Sequence, residues 1–335
     1  MTFSSPSPCG SAERGAALEL LRAGASFLLV GHQRPDGDCI GSQVALSRVL
    51  DLLGRRTRIL NPDPLERQFD RLRPACGFET WAGGELPAHD VVVLLDCAEL
   101  SRCGPLGDAL AASSSSKLVV DHHIHRGQRW WDAAYVDVTA AATGMLVARI
   151  ARELEVALDQ AAAEGVFTSI VSDTGWFKYA NTDAETLRVA SEMVSFGVDV
   201  AGLYRSLYQR RSRAHPRALG ELLARVEYFA GGRLALLCLP RADVDGVAPD
   251  GDDALDVLRS VDRVEVVLYL RELKDGRCKL SARSKTAYDV EDLASEFGGG
   301  GHLRAAGATI AGALDEVRER LVAAAMGRFG GGAEP

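Results

Sequence analysis

The chain has 335 residues, and at roughly 100–200 residues per domain this length predicts two domains and excludes a single small module. Hydrophobic residues make up 47% and charged residues 25%, proportions of an ordinary globular chain that exclude disorder over most of the length. The 46 acidic residues outnumber the 38 basic ones, and the net charge of −8 argues against a surface that coats long duplex nucleic acid.

The cysteines and the apolar runs indicate a cytoplasmic protein. The 7 cysteines are odd in number and form no CxxC pair, so neither a disulfide framework nor a cysteine-based zinc site is expected. No apolar run approaches the roughly 18 residues of a spanning helix, and the first residues carry no signal-peptide pattern. We therefore expect a reducing compartment and no membrane partner.

Strands and helices alternate along the first half of the chain. Short apolar runs predict buried strands at 26–32, 56–60, 91–96 and 117–121, and helical spacing predicts helices at 13–23, 39–54, 107–112 and 140–156. Residues 159–213 follow as an almost wholly helical stretch. This alternation predicts an α/β fold with a parallel sheet and helices on both of its faces.

The pattern changes near residue 226. Residues 226–239 resemble a β-hairpin, residues 264–270 and 277–283 form a second strand pair around a Lys-Asp-Gly turn, and helices close the chain. We therefore predict a parallel-sheet domain at 15–190, a helical linker at 191–215 and a smaller α/β domain at 216–330.

Acidic and histidine side chains follow three of the predicted strands. They are His32, Asp36 and Asp38 after the first strand, Asp96 at the end of the third, and Asp121, His122 and His123 after the fourth. Because ligands bind beyond the carboxyl ends of parallel strands, these side chains are expected to converge on one edge of the sheet. Asp173, after an apolar helical run, is a further candidate. For residues 32–38 alone, a turn with a helix-capping aspartate is an equal alternative.

Several buried carboxylates at one sheet edge need a compensating positive charge. The four aspartates bring about −4, which two divalent cations balance, and two histidines add neutral nitrogen donors. The expected metal ligands are His32, Asp36, Asp38, Asp96, His122 and Asp173. Carboxylates with imidazole favour Mn²⁺, with Mg²⁺ as the alternative. Two such ions about 3.5–4 Å apart activate a water and stabilise the attacking and leaving oxygens of a phosphoryl displacement.

A second metal interpretation is a metallo-β-lactamase-like hydrolase, because His122, His123 and His125 lie close together in the sequence. Such sites have an HxHxDH order, whereas Asp121 precedes the pair here and the other candidate ligands are mostly acids. Phosphoryl transfer is therefore the favoured reaction class.

The predicted second domain carries its own candidate site. Arg283 and Ser284 end a predicted strand, and a run of four glycines precedes His302 and Arg304. A tetraglycine is often a flexible linker, but inside a compact domain it allows an anionic group to approach the backbone closely. We favour an anion cradle, with the Arg283 guanidinium as a bidentate phosphate ligand.

Six segments occur in the order of a known family. They are HQRPDGDCIG, LLDCAE, VVDHH and SDTG in the first half, then RSK and GGGGHLRAAG in the second. Together they resemble the DHH/DHHA1 phosphoesterase family over about residues 15–330, and most of all its stand-alone branch of nanoRNases and pAp phosphatases. RecJ-type exonucleases are similar but usually carry additional domains, and family II pyrophosphatases have a different second domain.

The resemblance implies a role for each matching residue. His32, Asp36 and Asp96 would hold one metal, and Asp38, Asp96, His122 and Asp173 would hold the other, with Asp96 bridging. His123 would face the scissile phosphate, and Asp121 would orient the histidine pair. The residues that would bind the substrate are Arg283, Ser284, Gly299, Gly300, Gly301, His302 and Arg304.

The resemblance also implies a two-metal DHH catalytic domain and a DHHA1 substrate-binding domain that act as a phosphodiesterase and phosphomonoesterase. The implied substrates are single-stranded RNA of about two to five nucleotides and 3′-phosphoadenosine 5′-phosphate (pAp), since the acidic surface disfavours long strands. The direction of cleavage and a homodimer stay open. Three alternatives remain: a cyclic or linear dinucleotide phosphodiesterase, a RecJ-like single-strand exonuclease, and a catalytically silent nucleotide- or RNA-binding module.

Overall fold

The computed structural model describes residues 10–125, 127–241 and 251–329. The chain divides into two compact units, one that ends at Arg210 and one that begins at Arg211. Across the described ranges, the helices are all too short or too polar to cross a membrane.

The first unit is built on a six-stranded sheet in which all neighbouring strands pair in parallel. Its strands are β1 (Ser26–Val30), β2 (Arg56–Asn61), β3 (Phe78–Thr80), β4 (Val91–Leu95), β5 (Ser116–Asp121) and β6 (Ala133–Val136), in the spatial order β3-β2-β1-β4-β5-β6. The predicted parallel sheet is confirmed. The strand order reverses between β1 and β4, and at such a point a crevice opens beyond the carboxyl ends of the strands.

Helices cover both faces of this sheet, as predicted. They are α1 (Ser11–Ala23), α2 (Gly37–Leu52), α3 (Pro105–Ala112), α4 (Thr143–Glu153), α5 (Gln160–Asp173), α6 (Ala184–Ser195) and α7 (Val200–Tyr208), with 3₁₀ turns at Arg67–Ala75 and Leu100–Cys103. Alternate strand residues point to opposite faces, so Leu29 and Val93 belong to the core with α2 and α5, whereas Leu28 and Val92 belong to the core with α3. The stretch predicted to be almost wholly helical, residues 159–213, is interrupted between the end of α5 at Asp173 and the start of α6 at Ala184.

The helices α2 and α5 run antiparallel at very close range. A Cβ atom on Gly41 would lie 2.4 Å from the carbonyl oxygen of Gly165, and one on Gly37 would lie 2.4 Å from the hydroxyl of Ser172. Only glycine permits this approach. The first turn of α2 is thereby placed beside the last turn of α5, which brings Asp38 next to Asp173.

The second unit contains a mixed six-stranded sheet. Its strands are β7 (Glu227–Phe229), β8 (Leu234–Leu239), β9 (Val266–Glu272), β10 (Cys278–Ser284), β11 (Gly300–His302) and β12 (Ala305–Ile310), in the order β11-β12-β10-β9-β8-β7. The helices are α8 (His215–Leu223), α9 (Gly251–Arg259), α10 (Val290–Glu296) and α11 (Leu314–Phe329). The antiparallel pairs β7/β8 and β9/β10 are the two predicted strand pairs, whereas β8 and β9 pair in parallel. The predicted smaller α/β fold is confirmed.

Candidate metal centre

The structure brings all six predicted metal ligands together at the carboxyl edge of the parallel sheet. Potential ligand atoms lie within 4.8 Å of one another in two groups that together hold all six, one from His32, Asp36 and Asp96 and the other from Asp38, His122 and Asp173, and a third group joins Asp96, His122 and His123. Loops that follow β1, β4 and β5 supply the two groups, together with the first turn of α2 and the last residue of α5.

Asp96 belongs to the group of His32 and also adjoins His122 of the other group. It directly follows β4, is 2% exposed, and has a left-handed backbone with φ of +60°, which aspartate tolerates better than most residues. One carboxylate oxygen, Oδ2, is 3.5 Å from Nε2 of His32, and the other, Oδ1, is 3.6 Å from Nε2 of His122. Thr143 donates its hydroxyl hydrogen bond to Oδ1 at 3.1 Å. This geometry matches a carboxylate that bridges two cations.

Asp38 is fixed by the N-terminus of α4. Its carboxylate accepts hydrogen bonds from the backbone N–H groups of Thr143 at 2.9 Å and Gly144 at 3.3 Å, and from the Ser169 hydroxyl. No side chain adjoining α4 in sequence caps its first turn, so the Asp38 carboxylate satisfies these donors instead. The second oxygen, Oδ2, is 3.3 Å from Nε2 of His122. Sequence reasoning missed these supporting residues, which adjoin Asp38 only in the folded chain.

Asp36 caps a helix and is also one of the candidate metal ligands, which the sequence left as alternatives. Its Oδ1 accepts hydrogen bonds from the N–H groups of Asp38 at 3.0 Å and Cys39 at 3.1 Å, which caps α2. The same oxygen is 4.0 Å from Nε2 of His32, and the side chain is 58% exposed. The capping hydrogen bonds orient the Asp36 carboxylate through Oδ1 and leave Oδ2 able to interact with other groups.

The histidine rings are oriented by backbone carbonyls. Nδ1 of His32 donates to the carbonyl of Gln33 at 2.9 Å, and Nδ1 of His122 donates to the carbonyl of Ala140 at 3.1 Å. Because a carbonyl only accepts, these contacts leave Nε2 of each ring as the atom that faces the carboxylates. Nε2 of His32 is buried and makes no hydrogen bond within the described ranges. A nitrogen lone pair that faces carboxylates in this way fits a bound cation.

The electrostatics of the cluster also fit a cation. Burial raises the pKa of Asp96 well above its ordinary value, and the neighbouring charges of Asp38 and Asp36 raise it further. Burial likewise raises the pKa of Asp173 to about 7, although His122 opposes the change. Burial lowers the pKa of His32. Ionised carboxylates at this site are therefore costly unless a cation compensates them, and the oxygen and imidazole donors suit a divalent metal.

His123 and Asp121 form a separate pair beside the cluster. Nδ1 of His123 donates to Oδ1 of Asp121 at 2.7 Å, and the backbone N–H of His123 donates to the same oxygen at 3.1 Å. Burial alone would raise the pKa of Asp121. The hydrogen bonds from His123 have the larger effect, so the pKa of Asp121 is below its ordinary value. Asp121 is 1% exposed, whereas the ring of His123 is 25% exposed and its Nδ1 lies 3.6 Å from Asp96. A buried acid thus orients a partly accessible histidine.

His125 takes no part in any of these groups. Its ring packs edge-on against Trp131 with the ring centres 4.7 Å apart. His122 and His123 form a candidate group with Asp96, and the other two groups add four more residues, of which three are aspartates, so the described part of the chain gives a mainly carboxylate site and no histidine cluster that includes His125.

The predicted substrate residues lie in the second unit. Arg283 is half-buried in β10, and Arg304 is exposed between β11 and β12. Ser284 is 1% exposed, and its hydroxyl is engaged within its own turn by the carbonyl and N–H of Thr286. The side chain of His302 lies outside the described part of the structure.

The glycine run leads into a strand and is not a flexible linker, because Gly300 and Gly301 belong to β11. β11 pairs with β12 as an antiparallel hairpin. A Cβ atom on Gly299 would lie 2.2 Å from the carbonyl oxygen of Gly307, and Gly301 has φ of +149°. A Cβ atom on Gly300, by contrast, would meet open space. Two of the glycines are thus required by the hairpin itself, and Gly300 leaves its backbone approachable.

Comparison with known proteins agrees with this geometry. The model of the DHH family N-terminal domain matches residues 26–170, and that of the DHHA1 domain matches residues 249–329. The bifunctional oligoribonuclease and PAP phosphatase NrnA of Thermus thermophilus is 35% identical over 294 residues, which cover 88% of this chain and 87% of the relative.

Two solved structures share the fold. An exopolyphosphatase-related protein from Bacteroides fragilis superposes with a TM-score of 0.86 at 24% identity, covering 97% of this chain and 98% of that one. RecJ from Thermus thermophilus, solved in complex with Mn²⁺, superposes with a TM-score of 0.54 at 16% identity, covering 97% of this chain and 55% of RecJ.

Proposed function

Since the chain belongs to the DHH/DHHA1 family of phosphoesterases, we propose that it hydrolyses short oligoribonucleotides to mononucleotides and dephosphorylates pAp to AMP. The observation that carries this proposal is the pair of Asp/His groups that meet at Asp96. A relative that covers almost the whole chain and bears both activities in its name supports the choice of substrates.

The two groups would hold two divalent cations, of which Mn²⁺ is the better match. His32, Asp36 and Asp96 would bind one, and Asp38, Asp96, His122 and Asp173 the other. Four carboxylates balance the charge of two such ions. When bound, the cations would activate a water and stabilise the attacking and leaving oxygens of the phosphoryl displacement.

The protein's own residues position the reaction. The N-terminus of α4 and the Ser169 hydroxyl hold Asp38 in place, and backbone carbonyls fix the ring orientation of both ligand histidines. His123, held by Asp121, would contact the scissile phosphate. In the second unit, Arg283, Arg304 and the open backbone at Gly300 would bind a phosphate of the substrate.

The substrate should be short. A net charge of −8 gives the chain little means of neutralising many phosphates, so RNA of about two to five nucleotides is favoured over long strands.

The test is a Mn²⁺-supplemented hydrolysis assay on 5′-labelled RNAs of two to twenty-four nucleotides alongside pAp. Asp96→Asn serves as the inactive variant, and Asp108→Asn, on the exposed surface of α3, serves as the matched control. We expect rapid conversion of the shortest RNAs and release of phosphate from pAp, both lost in Asp96→Asn and both kept in Asp108→Asn.

The same assay separates the alternatives. Processive degradation of long strands with survival of dinucleotides would replace the proposal with a RecJ-like exonuclease. Turnover of cyclic di-AMP or pApA with inert pAp and longer RNAs would indicate a dinucleotide phosphodiesterase. RNA binding without any hydrolysis, unchanged by Asp96→Asn, would indicate a binding module.

A further inference from the structure

Arg102 lies where the two ligand-bearing loops of the crevice meet. It belongs to the 3₁₀ turn Leu100–Cys103, a few residues after β4, and β4 is the neighbour of β1 in the sheet. Its carbonyl accepts a hydrogen bond from the N–H of Gln33 at 2.7 Å, and Gln33 is the residue after His32. A Cβ atom on Gly104 would lie 2.5 Å from the side-chain amide nitrogen of Gln33, so the two segments pack closely. The base of the Arg102 side chain is therefore fixed at the rim of the metal cluster.

The charge of Arg102 acts on the ligands of that cluster. Burial works to lower the pKa of Arg102, but the neighbouring Cys97 thiol raises it, and the carboxyl groups of Asp96, Asp121 and Asp36 raise it further. The guanidinium in turn contributes to the lowered pKa of His32, for which burial is the main cause. These effects agree with the position of the Arg102 backbone, whose carbonyl is bonded to the residue after His32.

The guanidinium of Arg102 is nevertheless not bonded to any of them. Other arginines of the first unit pair with acids, such as Arg48 with Asp159 at 2.7 Å and Arg149 with Asp137 at 2.6 Å. Among residues 10–125, 127–241 and 251–329, the structure records no hydrogen bond or ion pair from the Arg102 side chain, although the residue is in part open to solvent. Up to five N–H donors thus remain available beside the expected metals.

We propose that Arg102 is a substrate-binding residue of this centre, whose guanidinium binds the non-bridging oxygens of the phosphate that is hydrolysed. This inference rests on the proposed function and assigns a phosphate ligand to the first unit in addition to those expected in the second. The planar guanidinium matches two phosphate oxygens, and bound cations remove the competing charge of the carboxylates. Because negative charge spreads over these oxygens in the transition state, the interaction strengthens as the reaction proceeds.

The experiment compares Arg102→Gln, Arg102→Lys and Arg102→Ala with the wild type in Mn²⁺-supplemented hydrolysis of pApA and pAp. The matched control is Arg56→Gln, since Arg56 is exposed at the amino end of β2, on the opposite edge of the sheet. We expect Arg102→Gln to lower kcat/KM by about 100- to 1,000-fold, mostly through kcat, with partial recovery in Arg102→Lys. Millimolar guanidinium ion should restore part of the activity of Arg102→Ala, which a purely structural role does not allow.

Two further measurements keep the inference separate from folding and from the proposed function. The Mn²⁺ stoichiometry and Tm of Arg102→Gln should equal those of the wild type, and a loss of bound Mn²⁺ would overturn the substrate-binding role. If the wild type hydrolyses pApA and pAp while Arg102→Gln matches Arg56→Gln, the inference is wrong and the proposed function stands. If the wild type hydrolyses neither, the proposed function fails. In that case, calorimetric binding of inorganic phosphate to the Mn²⁺-supplemented protein tests the role of Arg102 separately. We expect weaker binding to Arg102→Gln than to the wild type, and equal affinity would overturn the inference as well.

Discussion

Replacing Asp96 with asparagine should stabilise the metal-free protein while it abolishes stabilisation by metal. Asparagine keeps the shape of the side chain, tolerates the left-handed backbone at this position, and retains an oxygen that accepts from Thr143. Its amide can donate towards Nε2 of His32, which is 3.5 Å from Oδ2 of Asp96. The substitution therefore removes a carboxyl group whose ionisation burial makes costly, without removing a hydrogen bond.

The size of the effect follows from the spacing of the carboxylates. Ligand atoms of Asp36 and Asp96 lie within 4.8 Å, and two unit charges at that distance repel by roughly 3 kcal/mol at an effective dielectric constant of about 20. The Asp36 side chain is 58% exposed, so solvent screening reduces the expected gain to about 1–2 kcal/mol. For a unit of this size the gain corresponds to a rise in Tm of about 2–8 °C in EDTA.

With Mn²⁺ present, the wild type should become more stable than Asp96→Asn. At about 100 times the dissociation constant, each bound ion stabilises the wild type by about 2.7 kcal/mol, and Asp96→Asn loses this gain. Calorimetric scans in EDTA and in Mn²⁺ measure both effects. A lower Tm for Asp96→Asn in EDTA, or equal stabilisation of both proteins by Mn²⁺, would refute the reasoning.

The control is the same substitution at a buried aspartate that is paired. Asp137 is 6% exposed and accepts from Arg149 at 2.6 Å and from the Thr139 hydroxyl. Burial works to raise the pKa of Asp137, but these bonds outweigh it and lower that pKa. Asp137→Asn should therefore lower Tm with and without Mn²⁺, in contrast to Asp96→Asn.

Three further predictions concern the scaffold of the site. Asn61→Ala removes the side chain that accepts the buried N–H of Gly31 at 2.9 Å, and urea denaturation should show a loss of about 2–4 kcal/mol with reduced activity. Gly41→Ala forces a methyl group against the carbonyl of Gly165 and should cost about 1–3 kcal/mol; an unchanged urea midpoint would contradict the close approach. Because the folded-state pKa of Asp137 is below its ordinary value of 3.8, its carboxylate stabilises the fold above that value and loses this effect as pH falls through the lowered pKa. The stability deficit of Asp137→Asn should therefore shrink between about pH 6 and about pH 3, and a deficit that stays constant would contradict this.

The meeting of the candidate metal ligands could be predicted from the sequence because these residues follow strand ends. Parallel strands place their carboxyl ends on one edge, so His32, Asp96 and His122 had to meet once the strands were identified. Asp36 and Asp38 could be included because they begin the helix that follows β1.

The supporting residues could not be predicted in the same way. Thr143 and Ser169 meet Asp38 through contacts more than 100 residues apart in the chain, and no local pattern marks them. The short strand β3 lacks an apolar run, and the glycine run owes its strand conformation to pairing with β12. No motif in the sequence marks Arg102. Its place beside His32 follows from the hydrogen bond between its carbonyl and Gln33 and from the packing of Gly104 against Gln33.

The most direct test of the two-metal centre is the anomalous scattering of Mn²⁺ in crystals grown with that ion. We expect two peaks, one among His32, Asp36 and Asp96 and one among Asp38, His122 and Asp173, with Asp96 in contact with both. An absence of peaks at this cluster, or peaks confined to other parts of the molecule, would contradict it.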